Sequence, residues 1–198
     1  MRRVNPGKRK SKQASVPPSS PHTILLPDAG SLITLAYADS LDLLQKPGWS
    51  VQLVDMVLHE VTRNDTPTSE KIKQWVSNRA LPILQTRIFS HYLAASKKPG
   101  ADTKKSNLGE LAIQECMNSF VFVDALTRGV FLFEDHKIAR NSFLLPDNCR
   151  KITTRAFLLY LEQRGWLTAG RTAADMERTA ILNGRKFSQL RFPPDWWL

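Results

Sequence analysis

Two short apolar segments of this chain each lead into a carboxylate. Residues 23–26 (TILL) are followed by Asp28, and residues 130–133 (VFLF) end at Glu134 and Asp135. Continuous apolar runs of this length are typical of parallel strands that are covered on both faces. In sheets of parallel strands, functional sites lie beyond the carboxyl ends of the strands. The pattern therefore predicts a parallel sheet with acidic side chains gathered at one edge.

The remainder of the chain alternates strand-like and helix-like segments. Apolar residues at helical spacing begin directly after Asp28, and further strands are predicted at residues 51–54 and 81–84. Helices are predicted at residues 55–61, 69–76 (with Ser69 as a cap), 88–95, 108–117, 152–163 and 173–183. This alternation predicts an α/β fold, a three-layer α/β/α sandwich with a mainly parallel central sheet.

Charge and composition divide the chain into three parts. The net charge is +10, but six of the 28 basic residues and none of the 18 acidic ones fall in residues 1–22, so that this segment is predicted to be a disordered basic tail. Residues 23–164 are predicted to form the folded domain. Residues 165–198 are predicted to be a helical and aromatic extension, with Trp196 and Trp197 packing onto the body or onto a second subunit in a homodimer, or stacking on bases.

Two further features bear on the compartment. No apolar run approaches the roughly 20 residues needed to span a bilayer, and no apolar core follows the basic N-terminus. Cys116 and Cys149 lack a metal-like spacing and are interpreted as reduced thiols. We therefore expect a cytoplasmic protein with no membrane partner.

Four acidic residues stand out: Asp28 after the first predicted strand, Glu60 in an early helix, Glu110 at the start of a middle helix and Asp135 after a late strand. Taken singly, each has an ordinary explanation, as a helix cap, a solvated helix residue, a partner of a helix dipole or a turn residue. Taken together, clustered carboxylates repel one another unless a cation neutralises them. Carboxylate oxygens favour Mg²⁺ or Mn²⁺, and such ions promote phosphodiester hydrolysis.

Four motifs containing these acids resemble those of the PIN-domain family, in the family's order. They are residues 25–33 (LLPDAGSLI), 57–61 (VLHEV), 108–113 (LGELAI) and 131–140 (FLFEDHKIAR). The resemblance covers roughly residues 23–145, and implies a Mg²⁺- or Mn²⁺-dependent endoribonuclease. Among small bacterial members it also implies the toxin of a toxin–antitoxin pair, with an antitoxin as a protein partner.

The resemblance also assigns roles to residues. Asp28, Glu110 and Asp135 match the metal-binding acids, while Glu60 matches the acid that supports the site or binds directly. Glu134 shares in metal binding, and Ser31 holds a metal-bound water. The chain departs from the family at Gly30, where Ser, Thr or Asn is usual.

Several alternatives stay open. Arg128, Lys137 and Arg140 are placed near the acidic edge and predicted to contact RNA phosphates, or else they form a solvated basic face. A catalytically inactive RNA-binding or interaction protein would keep the fold without the chemistry, and Gly30 favours that alternative. A structure-specific DNA nuclease would share the same acids.

Overall fold

A parallel sheet forms the centre of the molecule. The computed structural model describes residues 22–97, 107–122, 126–134 and 145–185. Its strands are β1 (His22–Pro27), β2 (Ser50–Val51), β3 (Leu53–Val54), β4 (Ile83–Leu84), β5 (Thr127–Phe133) and β6 (Cys149–Thr153). Four of them form a sheet in the order β2-β1-β5-β6, and every pairing in it is parallel.

Strands β3 and β4 form a second, two-stranded sheet. β3 pairs in parallel with β4. The chain changes from one sheet to the other after Gln52. The backbone N–H of Gln52 donates to the carbonyl of Leu25 in β1 (3.1 Å), and the backbone N–H of Leu53 donates to the carbonyl of Pro82 (3.0 Å). The short segment that holds β2 and β3 therefore joins β1 to the β4 side of the molecule.

Helices separate the strands along the chain. They are α1 (Ala29–Tyr37), a 3₁₀ helix (Leu41–Gln45), α2 (Asp55–Thr62), α3 (Pro67–Asn78), α4 (Arg87–Ser96), α5 (Leu108–Phe120), α6 (Thr154–Gln163) and α7 (Ala173–Leu182). None of these helices has both the length and the apolar character needed to cross a bilayer.

Both faces of the sheet are covered. All five residues from Gly129 to Phe133 in β5 are buried, and successive side chains of a strand point to opposite faces. Helix α5 packs against β5 and β3, and helix α1 also packs against β5. The predicted α/β fold with a mainly parallel sheet flanked by helices is confirmed.

Helix α7 belongs to the same hydrophobic core. Its buried residues Ala173, Met176 and Ala180 join the core cluster, and the helix packs against α1 and α6. The predicted division of the chain at residues 22 and 164 stays a prediction, and Trp196 and Trp197 lie outside the described residues.

Two local predictions were wrong. The predicted helix at residues 152–163 begins at Thr154, because Cys149–Thr153 forms β6 and enters α6 without a loop. Ser69 does not begin α3: Thr66 is the cap residue, and Ser69 returns a hydrogen bond to it three positions later, with Pro67 between them. This reciprocal pair is a capping box, which satisfies two backbone N–H groups at once.

Candidate functional site

Asp28 lies at the carboxyl end of β1 and caps helix α1. Its Oδ1 accepts a hydrogen bond from the backbone N–H of Ser31 (2.6 Å), and its Oδ2 accepts one from the backbone N–H of Glu134 (3.1 Å). The side chain is buried, and this burial raises the pKa of the Asp28 carboxyl; hydrogen bonds from Ser31 and Glu134 and the charge of Arg185 oppose the rise. Asp28 is therefore held in a fixed position at the carboxyl edge of the sheet.

Glu134 follows β5 directly and lies against Gly30. Glu134 is buried, and a Cβ atom added at Gly30 would come within 2.7 Å of the Glu134 Cβ and 3.4 Å of both Asp28 carboxylate oxygens. Such a contact is shorter than van der Waals packing allows. Gly30, the departure from the family pattern, is thus explained by the close approach of Glu134 to the first turn of α1.

Glu60 and Glu110 meet at the start of helix α5. Glu60 Oε1 accepts a hydrogen bond from the backbone N–H of Gly109 (3.2 Å), and a Cβ at Gly109 would lie 2.6 Å from Glu60 Oε2. Burial raises the pKa of Glu60, and the negative charge of Glu110 and, more weakly, of Asp28 raises it further; the Gly109 N–H and the charge of Arg63 oppose the rise. Glu60, Glu110 and Asp28 therefore interact electrostatically.

Thr154 is a supporting residue that the sequence analysis missed. Its Oγ1 donates to the Ser31 hydroxyl (2.9 Å), and the Ser31 side chain is hydrogen-bonded to Asp28. Ser31 and Thr154 are both fully buried. The first residue of α6 is therefore linked through Ser31 to the first acid, although 123 residues separate Thr154 from Ser31 in sequence.

The predicted basic residues do not all lie where the sequence suggested. Arg128 is the second residue of β5, at the amino end of the strand, and six residues of extended chain, about 20 Å, separate it from Glu134. The prediction that Arg128 lies near the acidic edge was wrong, because Arg128 precedes the apolar centre of β5 and the acids follow it. Asp135, Lys137 and Arg140 lie outside the described residues.

The donor set fits a divalent cation in its chemistry. Within the described residues, no group of three or more His, Cys, Asp or Glu side chains is arranged closely enough to hold a metal ion. Asp135, one of the predicted ligands, lies outside those residues. The mutual repulsion that raises the pKa of Glu60 is nonetheless what a cation would relieve, and carboxylate oxygens suit Mg²⁺ or Mn²⁺.

Comparisons with known proteins do not assign the chain to a family. No family model matches the chain, and no curated protein matches it significantly. Among solved structures, the chain is similar to the PIN domain of T. brucei RRP44, with a TM-score of 0.45 and 13% sequence identity, over 73% of this chain and 82% of that chain. The assignment to an α/β fold rests on the strand order and helices of the chain itself.

Proposed function

We propose that the chain is a Mg²⁺- or Mn²⁺-dependent endoribonuclease that hydrolyses RNA phosphodiester bonds. The observation that carries the proposal is that Asp28 ends β1 and caps α1, while Glu60 accepts a hydrogen bond from Gly109, the residue before Glu110 (3.2 Å), so that acids from three separate segments lie at one edge of the sheet. Burying carboxylates near one another is costly. A fold that retains interacting carboxylates at the carboxyl edge of a parallel sheet gains from a cation there, and this supports a metal-dependent reaction.

In this proposal Asp28, Glu60 and Glu110 hold the ion, together with Glu134 and Asp135. When bound, such an ion supplies Lewis-acid stabilisation of charge on the phosphate and activation of water. Metal ligands work best when neighbouring groups fix their orientation. The backbone N–H groups of Ser31 and Glu134 orient Asp28, and that of Gly109 orients Glu60.

The rival functions differ in measurable ways. An inactive RNA-binding module would bind RNA without cutting it, and a structure-specific DNA nuclease would prefer branched or nicked DNA. Gly30 is explained by the packing of Glu134, so this glycine by itself no longer favours an inactive module.

A toxin role, with an antitoxin partner, rests on the family resemblance alone. Growth arrest on induced expression, relieved by the product of a neighbouring small gene, would support it.

The experiment is a cleavage assay on a mixed panel of single-stranded RNA, hairpin RNA and branched DNA. The full chain is incubated with Mg²⁺, with Mn²⁺ or with a chelator, beside the variants Glu60→Gln and Asp135→Asn. We expect RNA cleavage that requires the metal and is lost in both variants. Asp39→Asn is the matched control, because Asp39 pairs with Lys71 beyond the other end of α1. Cleavage that persists in both variants would contradict the proposal.

A further inference from the structure

A phosphate that approaches the candidate site meets a group of carboxylates. Asp28 and Glu134 follow β1 and β5, Glu110 lies in the first turn of α5, and Glu60 of α2 accepts a hydrogen bond from Gly109 at the start of α5. Their field repels a polyanion, so the substrate must gain attraction from cationic groups around them. The basic residues expected from the sequence do not supply that attraction within the described chain, since Arg128 lies at the opposite edge.

Arg63 lies beside Glu60. It is the residue that ends helix α2, and its backbone N–H donates to the carbonyl of His59 (2.9 Å). Residues three apart on a helix are neighbours on its surface, and the charge of Arg63 acts on Glu60. The side chain is exposed and makes no ion pair with any acid of the described residues. Its guanidinium group is therefore available to a ligand next to the second acid.

Arg185 lies near Asp28, a different acid of the group from Glu60. Helix α7 ends at Leu182, Asn183 is its cap residue, and Gly184 has a positive φ of 68°. The N–H of Gly184 donates to the carbonyl of Ile181 (2.9 Å) and the N–H of Arg185 donates to that of Ala180 (2.9 Å). This pair of bonds is a Schellman motif, which fixes the direction of the chain after the helix.

The Arg185 side chain is directed to the first turn of α1. Its Nη2 donates to the carbonyl of Gly30 (3.2 Å) and its Nε donates to Thr34 Oγ1 (3.1 Å), whereas Nη1 has no hydrogen-bond partner in the described part of the chain. A guanidinium group fixed by two bonds keeps further donors in a rigid plane, the geometry that suits phosphate. The charge of Arg185 also acts on Asp28.

We propose that Arg63, near Glu60, and Arg185, near Asp28, bind phosphate groups of single-stranded RNA, so that the C-terminal end of α7 contributes to the substrate site. The inference rests on the proposed function for the identity of the polymer. It gives helix α7 a second role beyond its place in the core, since α7 carries a phosphate-binding residue to the first turn of α1. Phosphate contacts of this kind position the strand and carry no sequence preference.

The test measures binding and not cleavage. A fluorescently labelled single-stranded RNA oligonucleotide is titrated with the full chain in the presence of a chelator, at several salt concentrations. We expect Arg63→Gln and Arg185→Gln each to reduce the slope of log affinity against log salt by about 0.7, the value for one phosphate contact on a single strand. The loss should be similar for oligonucleotides of different sequence.

Two arginines provide matched controls. Arg79 ends helix α3 as Arg63 ends α2, and Arg178 is an exposed residue of α7 that pairs with Asp175. Arg79→Gln and Arg178→Gln should leave the salt slope unchanged. Arg185→Lys keeps a positive charge but loses the two hydrogen bonds to Gly30 and Thr34. A lower melting temperature of this variant reports the loss of those bonds, while a normal salt slope shows that the charge is sufficient for phosphate binding.

The outcomes are distinguishable. Salt slopes of Arg63→Gln and Arg185→Gln equal to those of the controls would overturn the inference, as would absence of RNA binding by the wild-type chain. If Arg185→Gln does not fold, Arg63→Gln decides the matter, because Arg63 is exposed and its substitution leaves the core intact. Normal binding that depends on both arginines, without any cleavage in Mn²⁺, would overturn only the proposed nuclease function.

Discussion

The backbone N–H of Glu134 donates a hydrogen bond of 3.1 Å to Oδ2 of Asp28, and so joins two residues 106 positions apart. The bond lies just beyond the last residue pair of the parallel strands β1 and β5, which is Pro27 with Leu132. The other oxygen of the same carboxylate caps α1 through Ser31. The Asp28 carboxylate therefore caps α1 and lies at the carboxyl edge of the sheet. Its role as a helix cap is compatible with a role in catalysis.

The first prediction concerns the charge of Asp28. Asp28→Asn keeps a good cap residue but leaves only one oxygen for the two backbone donors. We expect the free energy of unfolding to fall by no more than about 2 kcal/mol. Metal-dependent cleavage should fall by about 100-fold or more, because the loss of a metal ligand should reduce activity at least as much as the loss of a residue that orients a ligand. Chemical denaturation and a cleavage assay measure the two effects.

Asp28→Ala provides the comparison for this prediction. Alanine removes the cap as well as the charge, so it should cost more stability than asparagine does, with the same loss of cleavage. Equal cleavage by the wild type and Asp28→Asn would show that Asp28 serves the helix alone.

The second prediction concerns Gly30. Gly30→Ser introduces the residue type usual in the PIN-domain family, but its Cβ would lie 2.7 Å from the Glu134 Cβ. We expect the free energy of unfolding to fall by about 1–3 kcal/mol, as for other overpacked positions, and activity to fall rather than rise. A serine variant as stable as the wild type would show that Glu134 moves away easily.

Gly109→Ala is a useful contrast to Gly30→Ser. The Cβ at residue 109 would meet only the far end of the Glu60 side chain, 2.6 Å away at Oε2, and that end can rotate. We therefore expect little loss of stability but a smaller rise in melting temperature on addition of Mn²⁺, because Glu60 is displaced. An unchanged rise would argue against Glu60 as a ligand.

Much of the fold could be predicted from local patterns. The apolar run before Asp28 and the helical spacing after it gave β1 and α1 correctly, since strand, cap and helix are adjacent in sequence. Strand β6 was missed because Cys149–Thr153 has Arg150 and Lys151 inside it and runs into α6 with no turn residue between. Its identity as a strand depends on pairing with β5, which no local pattern reveals.

The supporting residues of the candidate site could not be predicted. Thr154 and Arg185 reach the first turn of α1 from positions more than 100 residues away. A single threonine or arginine in a helix-rich segment carries no signal of such a contact. Gly30 illustrates the same limit, because the reason for a glycine there is the side chain of Glu134 and not the local conformation.

The third prediction concerns the link from Thr154 to Asp28. Thr154→Val keeps the shape of the side chain but removes the hydroxyl that donates to Ser31 (2.9 Å). We expect the free energy of unfolding to fall by about 1–2 kcal/mol and the apparent affinity for Mn²⁺ to fall about 10-fold or more. Thr154→Ser, which keeps the hydroxyl, should retain metal affinity. Equal metal affinity of the valine and serine variants would exclude a positioning role.

The fourth prediction concerns the two thiols. Burial raises the pKa of Cys116 to about 12 and that of Cys149 to about 11. Because the thiolate is the reactive form, neither thiol should react with an aromatic disulfide reagent in the folded protein at neutral pH. Both should react after unfolding in urea. Rapid reaction of either cysteine under native conditions would contradict the buried positions described for them.

The fifth prediction concerns Glu115, which links α5 to the start of α4. Glu115 Oε1 accepts hydrogen bonds from the backbone N–H (3.0 Å) and Nε (3.1 Å) of Arg87, and Oε2 accepts one from the N–H of Ile88 (3.2 Å). Burial by itself would raise the pKa of Glu115, but these hydrogen bonds and the charge of Arg87 outweigh it, and the pKa lies below its usual value.

The sign of the pH dependence follows from that shift. The folded protein holds the Glu115 proton less tightly than the unfolded chain does. The carboxylate therefore stabilises the fold at pH values above the ordinary glutamate pKa of about 4.3. This stabilisation is lost as the pH falls through the lower pKa of the folded state. We expect Glu115→Gln to lower the free energy of unfolding by about 1–2 kcal/mol at pH 7, with the difference shrinking in acid. Denaturation curves at a series of pH values test this, beside Glu162→Gln, a change at an exposed position of α6. A difference that stays constant from pH 7 to acid would show that the charge of Glu115 contributes nothing.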